Sequence, residues 1–207
     1  MTEKSPERLV FFTDAVVAIA LTLLVLPLAE IVPEVVAAHG EPIEVITGNQ
    51  ATIWSFLLSF VVIGRQWISH HRLFEHVRAY NNPLFMTNMV WLLSVIVMPF
   101  ATEMVGGFTT NEFTCLFYIG TILVNSACVS VMTMLVRSDP ELINADTTIS
   151  GRWVFNTLGT TIALVVAFVL ELIVPTVNYY ALLLLLVPGI VARVVHPDAP
   201  KPTQLSE

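Results

Sequence analysis

The stretch Arg8–Leu28, RLVFFTDAVVAIALTLLVLPL, decides how the rest of the chain is read. A charged turn from Arg8 to Asp14 opens into a run, Ala15 to Leu28, whose only polar side chain is Thr22. A run of that length and composition belongs in a bilayer, where no water satisfies the backbone and the chain must be helical. Ile19, Leu23 and Leu26 are spaced four and then three apart, so at about 3.6 residues per turn they share one face, with Thr22 beside them. Such a face suits the lining of a narrow path through a bundle of copies, although in most helices the same stripe is ordinary packing.

The whole chain agrees with its first stretch. Hydrophobic residues at 56%, charged residues at 12% and a mean hydropathy of +0.79 exclude an ordinary soluble domain. Six apolar stretches stand out, roughly 9–29, 51–68, 84–105, 113–136, 153–174 and 179–195. At about 1.5 Å per residue each crosses, or nearly crosses, a hydrocarbon core of about 30 Å. The expected fold is all-α: a polytopic membrane unit of six transmembrane helices over 1–196, then a disordered cytoplasmic tail, 197–207. The first stretch does not read as a secretory signal, because Pro27 and Glu30 follow its apolar core where a small-residue cleavage site would stand.

Topology follows from the basic residues. Lys4, Arg8, Arg65, Arg72, Arg78, Arg137, Arg152, Arg193 and Lys201 all fall before the first span, at the 2–3 or 4–5 junction, or at the C-terminal end. The positive-inside rule then puts both termini in the cytoplasm. The other side carries Glu30, Glu34, Glu41, Glu44, Glu103, Glu112 and Glu171 with no Lys or Arg. That side reads either as a solvated loop face or as a vestibule that gathers cations. A net charge of −7 argues against nucleic acid as a partner. Cys115 and Cys128 lie thirteen residues apart in one span, about 20 Å along a helix, too far to bridge.

Punctuation along the chain sets the boundaries. Ser5-Pro6-Glu7 suits a helix start, and Pro33 to Glu44, with Gly40 and Pro42, reads as an outside loop. The second helix is expected to run past the membrane surface to about Val77, with Trp67 at the interface, before Asn81-Asn82-Pro83 breaks it. Asn88, an amide inside an apolar span, needs a partner on another helix. Gly106-Gly107 closes the third span, and Gly120, Ser126 and Ser130 allow close helix approach in the fourth. Pro188-Gly189 should kink the sixth.

Little of this is catalytic chemistry. His70, His71 and His76 lack the i, i+4 spacing that puts two imidazoles on one ion, so no metal is expected. No catalytic constellation can be assembled, which argues against an enzyme. Asp14 is the main candidate for a buried acid, and an ionisable group at membrane depth is expected to pair within the bundle.

Arg8, Phe12, Thr13 and Asp14 fit the R-x-x-x-F-S-D signature of the transmembrane protein 175 family of potassium channels, with Thr in place of Ser. Ala18-Ile19 and Thr22-Leu23-Leu24 continue the match. Trp67, His70 and Leu73-Phe74 resemble that family's W-x-x-H-x-x-L-F stretch, and Asn88 and Pro99 fall where its third helix has an Asn and a Pro. The resemblance covers the first half of the chain well and the second half mainly by helix count.

The resemblance implies a homotetramer in the cell membrane, in a bacterium the inner or plasma membrane, with helix 1 of each copy lining a potassium-permeable pore. Rings of Ile19, Leu23 and Leu26 would narrow that pore, and Thr22 would offer a ring of hydroxyls. No cofactor is implied beyond the permeant potassium ion. Arg8, Thr13 and Asp14 would hydrogen-bond with Trp67, His70 and Asn88 and hold helix 1 in place. The competing reading is a proton-coupled secondary cation transporter that titrates Asp14 and His70. It lacks the inverted repeats that transporters usually carry.

Overall fold

The computed structural model describes residues 5–108, 111–144 and 147–174. The expected span 179–195, its Pro188-Gly189 and the expected tail 197–207 lie outside the described residues. Among the described residues the regular structure is helical: α1 (Glu7–Leu23), α2 (Leu26–Ala37), α3 (Glu44–Thr47), α4 (Gln50–Phe74), α5 (Asn82–Gly107), α6 (Glu112–Ser138) and α7 (Gly151–Ile173). Five helical segments are long and apolar enough to cross a membrane, with α1 and α2 together forming the first, Glu7–Ala37.

That first segment departs from expectation twice. A helix running unbroken to Leu28 is replaced by a break at Leu24 and Val25. Pro27 has no N–H for the Leu23 carbonyl, so the ladder stops. The Val25 and Leu28 N–H groups reach back three residues instead of four, to Thr22 at 3.3 Å and Val25 at 3.1 Å. The second departure is Pro33, expected in a loop but set inside α2. Ile31, Val32, Val35 and Val36 surround it, and in an apolar medium unwinding would bare more backbone than the one bond Pro33 removes. The loop begins instead after Ala38, where His39 takes a positive φ of 57°.

The later helices start on side-chain caps. Asn81 Oδ1 accepts from Leu84 N–H at 3.0 Å, Asn111 Oδ1 from Phe113 N–H at 2.8 Å, and Ser150 Oγ from Trp153 N–H at 3.2 Å. The helix α4 ends at Phe74, short of the expected Val77. Its exit pairs with the α6–α7 connection: Arg78 N–H donates to Leu142 O at 2.8 Å and Asn144 N–H to His76 O at 2.9 Å, around a bridge between Val77 and Ile143. The backbone thus leaves the helix because these residues find partners across the bundle. Arg72, Arg78, Arg137 and Arg152 therefore share one end with the start of α1, whose Ser5, Pro6 and Glu7 border Phe74, Val77 and Asn144.

In packing, α5 is central, lying against α1, α4 and α6, and α6 carries α7 on its other side. Trp91, Tyr118, Ile63, Leu73, Leu84 and Met132 are buried in one continuous core. Polar pins tie the helices at several levels. Thr102 donates to Ser59 at 2.7 Å, and Ser59 bonds Tyr118 at 3.0 Å, joining α4, α5 and α6. Asn125 donates to Ser94 at 2.9 Å, while Thr161 bonds both Ser126 and Ser130 at 2.8 Å. Each such bond contributes about 0.6 kcal/mol on average, but together they fix register where apolar faces would slide. Cys115 and Cys128 are both buried, and they do not bridge each other.

Close approach of α4 and α5 rests on Gly106, where a Cβ would sit 2.8 Å from Ser55 Oγ and 3.2 Å from Thr52 Cα. Gly107 has nothing within 4 Å of that position. Gly106→Val is expected to lower stability by about 1–3 kcal/mol, as overpacking does, while Gly107→Val has a small effect. The thermal unfolding midpoint in detergent checks this; equal losses from both would exclude helix contact as the cause.

Candidate functional site

Two faces of α1 do different work. Leu9, Thr13, Val17 and Ala20 form the buried face, packed against α4 and α5, and Leu24 continues it. On another side Ile19 is 59% exposed on the subunit, Leu23 48% and Leu26 52%, with Thr22 also exposed. Thr22 donates its hydroxyl to Ile19 O at 2.7 Å, which leaves its oxygen lone pairs turned outward as acceptors. Leu26 lies beyond the break, so its direction follows α2 and not the 3.6-residue repeat that relates Ile19 to Leu23.

Behind this helix lies a net of polar side chains. Asn88, fully buried on α5, donates through Nδ2 to Thr13 Oγ1 at 3.0 Å and meets His70 Nε2 through Oδ1 at 2.6 Å. In this orientation His70 carries its proton on Nε2. The imidazole lies between Phe74 and Trp91, with ring centroids 4.4 and 4.1 Å away. Trp67 Nε1 donates to Asp14 Oδ1 at 2.8 Å. Three helices are thereby joined through the fully buried Thr13, His70 and Asn88 and the half-buried Asp14 and Trp67.

Five of the six residues expected to hydrogen-bond thus come together in two sets. Arg8 does not join them. Arg8 is exposed and bonded to none of the set; with Phe12 it borders an open groove beside Tyr80, Phe85 and Met89. The reason is register: Arg8 precedes Ile19 by eleven residues, about three turns, and so falls on the uncovered side of the helix, away from Thr13. Of the other histidines, His71 lies 3.8 Å from Glu75 and His76 bonds Arg72 O at 2.8 Å. Glu171, grouped by sequence with the outer acids, is fully buried, whereas Glu30, Glu34, Glu41, Glu44, Glu103 and Glu112 are exposed.

Sequence reasoning passed over the aromatic sandwich around His70. Its signal was present: Phe74 follows His70 by four residues and Trp91 follows Asn88 by three, the spacings that put side chains on one helix face.

Comparison with known proteins gives a consistent set of likenesses. A family model described as endosomal/lysosomal potassium channel TMEM175 matches residues 8–99, which include the whole net. A potassium channel of Chryseobacterium sp. (strain P1-3) is 31% identical over 139 residues, 65% of this chain and 67% of that protein. A potassium channel of Streptomyces collinus is 31% identical over 105 residues, 51% of this chain and 50% of its own length. The endosomal/lysosomal proton channel TMEM175 of Danio rerio is 21% identical over 141 residues, 68% of this chain but 27% of that protein. The chain therefore spans about two thirds, half and a quarter of these relatives.

Removing Asn88 strands both of its partners. Asn88→Leu is expected to destabilise the protein by about 1–3 kcal/mol, the cost of leaving a buried polar group unpaired. In a double-mutant cycle with His70→Leu the losses should sum to clearly more than the double variant loses. Denaturation of the detergent-solubilised protein measures this, and strict additivity would show that the two side chains are not coupled.

Proposed function

The chain belongs to the TMEM175 family, and from that premise we propose that it is a potassium-permeable cation channel, a homotetramer with helix 1 of each copy around a central pore. It is a multi-pass membrane protein. The observation that carries the reading is the division of α1: one face bonded and packed into its own subunit, the other an apolar stripe of Ile19 and Leu23, continued by Leu26, left uncovered.

Four copies of such a stripe on an axis leave an opening too narrow and apolar for a hydrated ion, so conduction is controlled by wetting. Ions that hold water less tightly lose less on stripping it, which favours potassium over sodium modestly. The Thr22 ring offers lone pairs that replace part of the lost shell. The Thr13, Asp14, Trp67, His70 and Asn88 bonds keep each stripe turned to the axis, and exposed acids at the far end from the basic cluster raise local cation concentration.

A second reading, proton conduction, is favoured by the likeness to the Danio rerio relative, which is named a proton channel. The transporter alternative would titrate Asp14 and His70, yet each bonds a different partner, Trp67 and Asn88. Purified protein in liposomes separates the three. A channel passes potassium down a voltage without a proton gradient, a proton pathway acidifies or alkalises the lumen on its own, and a transporter needs both ions together.

Within the channel reading, Ile19→Asn or Leu23→Ser is expected to raise leak several-fold and to shift the reversal potential toward non-selectivity in mixed potassium and sodium. Unchanged conductance and reversal potential in both variants would remove α1 from the pore.

A further inference from the structure

A cavity of about 80 Å³ lies between α4 and α7 over a floor from α6, and nothing in the conduction mechanism uses it. Arg65, Gln66 and Ser69 line it from α4, and Asn156, Thr157 and Thr160 from α7. That volume takes several waters or a small polar headgroup. Two groups are incomplete in it. Arg65 is an exposed guanidinium on a membrane span with no carboxylate of the described residues within ion-pair distance. Asn156 Oδ1 is buried with no hydrogen-bond donor among the described residues.

Ser69 donates to Arg65 O at 3.1 Å and Thr160 to Asn156 O at 2.8 Å, so these two protons are used within their own helices, and neither the Gln66 amide nor the Thr157 hydroxyl, which also line the cavity, is bonded to Asn156 Oδ1. Arg65 has no anion among the described residues, and Asn156 Oδ1 no engaged donor. Its level is the basic end of the bundle: Arg65 precedes the end of α4 by nine residues and Asn156 follows the start of α7 by five. At about 1.5 Å per residue both lie within reach of the headgroup layer for a long side chain or a lipid phosphate.

We infer that this cavity is a seat for the headgroup of an anionic phospholipid bearing free hydroxyls, with Arg65 on the phosphate and Asn156 accepting from a headgroup hydroxyl. Basic pockets between membrane helices hold such headgroups by charge-assisted bonds, and Arg suits a phosphate because its N–H groups fork onto two oxygens. The uncharged acceptor adds selectivity among anionic lipids, because a headgroup without a hydroxyl leaves it unpaired. The inference requires only that α4 and α7 span the membrane, and holds whichever ion the protein passes.

The test is native mass spectrometry of the full-length protein titrated with phosphatidylglycerol, phosphatidylmethanol and phosphatidylcholine of the same acyl chains, with glycerol 3-phosphate as a soluble competitor. Phosphatidylglycerol should bind most tightly, with phosphatidylmethanol, a phosphodiester of the same charge and no headgroup hydroxyl, weaker and phosphatidylcholine weakest. Arg65→Gln should cost phosphatidylglycerol about tenfold or more, as expected for a lost hydrogen bond to a charged group, and Asn156→Leu should bring it to the level of phosphatidylmethanol. Equal binding of all three lipids, or an unchanged order in Arg65→Gln, overturns the proposal. So does displacement by glycerol 3-phosphate alone, which would make the ligand a soluble phosphate. Dissociation of the assembly by Arg65→Gln with lipid order intact would assign Arg65 to a neighbouring copy and equally overturn it.

Discussion

The structure depends on one buried amide. Asn88 sits on the central helix of the bundle with both ends of its carboxamide engaged, one on Thr13 of α1 and one on His70 of α4. An unpaired amide in hydrocarbon costs several kcal/mol, whereas a paired one adds little net stability. Its force is therefore selective more than adhesive. Rotating α1 by even one residue would move Thr13 out of reach, so this bond sets which face of α1 enters the subunit and which is left over.

The same logic recurs up the bundle. Near the middle Asn125 meets Ser94 and Thr161 meets Ser126 and Ser130; further from the basic end Thr102, Ser59 and Tyr118 form a chain, close to the tight contact at Gly106. Between these levels the core is aliphatic and aromatic. Lipid is as apolar as leucine, so the aliphatic layers gain no hydrophobic drive from meeting one another. Specific polar pairs and small residues supply the registration that hydrophobic burial gives a soluble protein.

Five of the six expected helical spans fall on described helices and were legible in sequence because bilayer length and backbone satisfaction leave few solutions, and Asn81-Asn82-Pro83 and Gly106-Gly107 marked boundaries that the structure keeps. Prolines were less readable. Pro33 looked like a loop signal because in water it ends helices; its apolar surroundings reverse that preference, while Pro27, flanked by the same kind of residue, does interrupt the ladder. The difference lies in where the next bonds are found, at Thr22 and Val25 for the break, which sequence does not reveal. At the site, Thr13, Asp14, Trp67, His70 and Asn88 could be named, since polar groups in apolar spans must pair. Arg8 shares the motif but not the contact within one subunit, because eleven residues of helix separate it from Ile19 by nearly whole turns and put it on the side away from Thr13.

The pairing of His76 and Arg78 with Leu142 and Asn144 has a mechanical meaning. It staples the α4–α5 connection to the α6–α7 connection, turning four helices into tongs riveted at the basic end. Leverage in such a device grows with distance from the rivet, so the bonds of the staple constrain helix spacing most beside it and least at the acidic rim. The gap between α4 and α7 lies near the rivet, so whatever occupies it meets walls that the staple holds together.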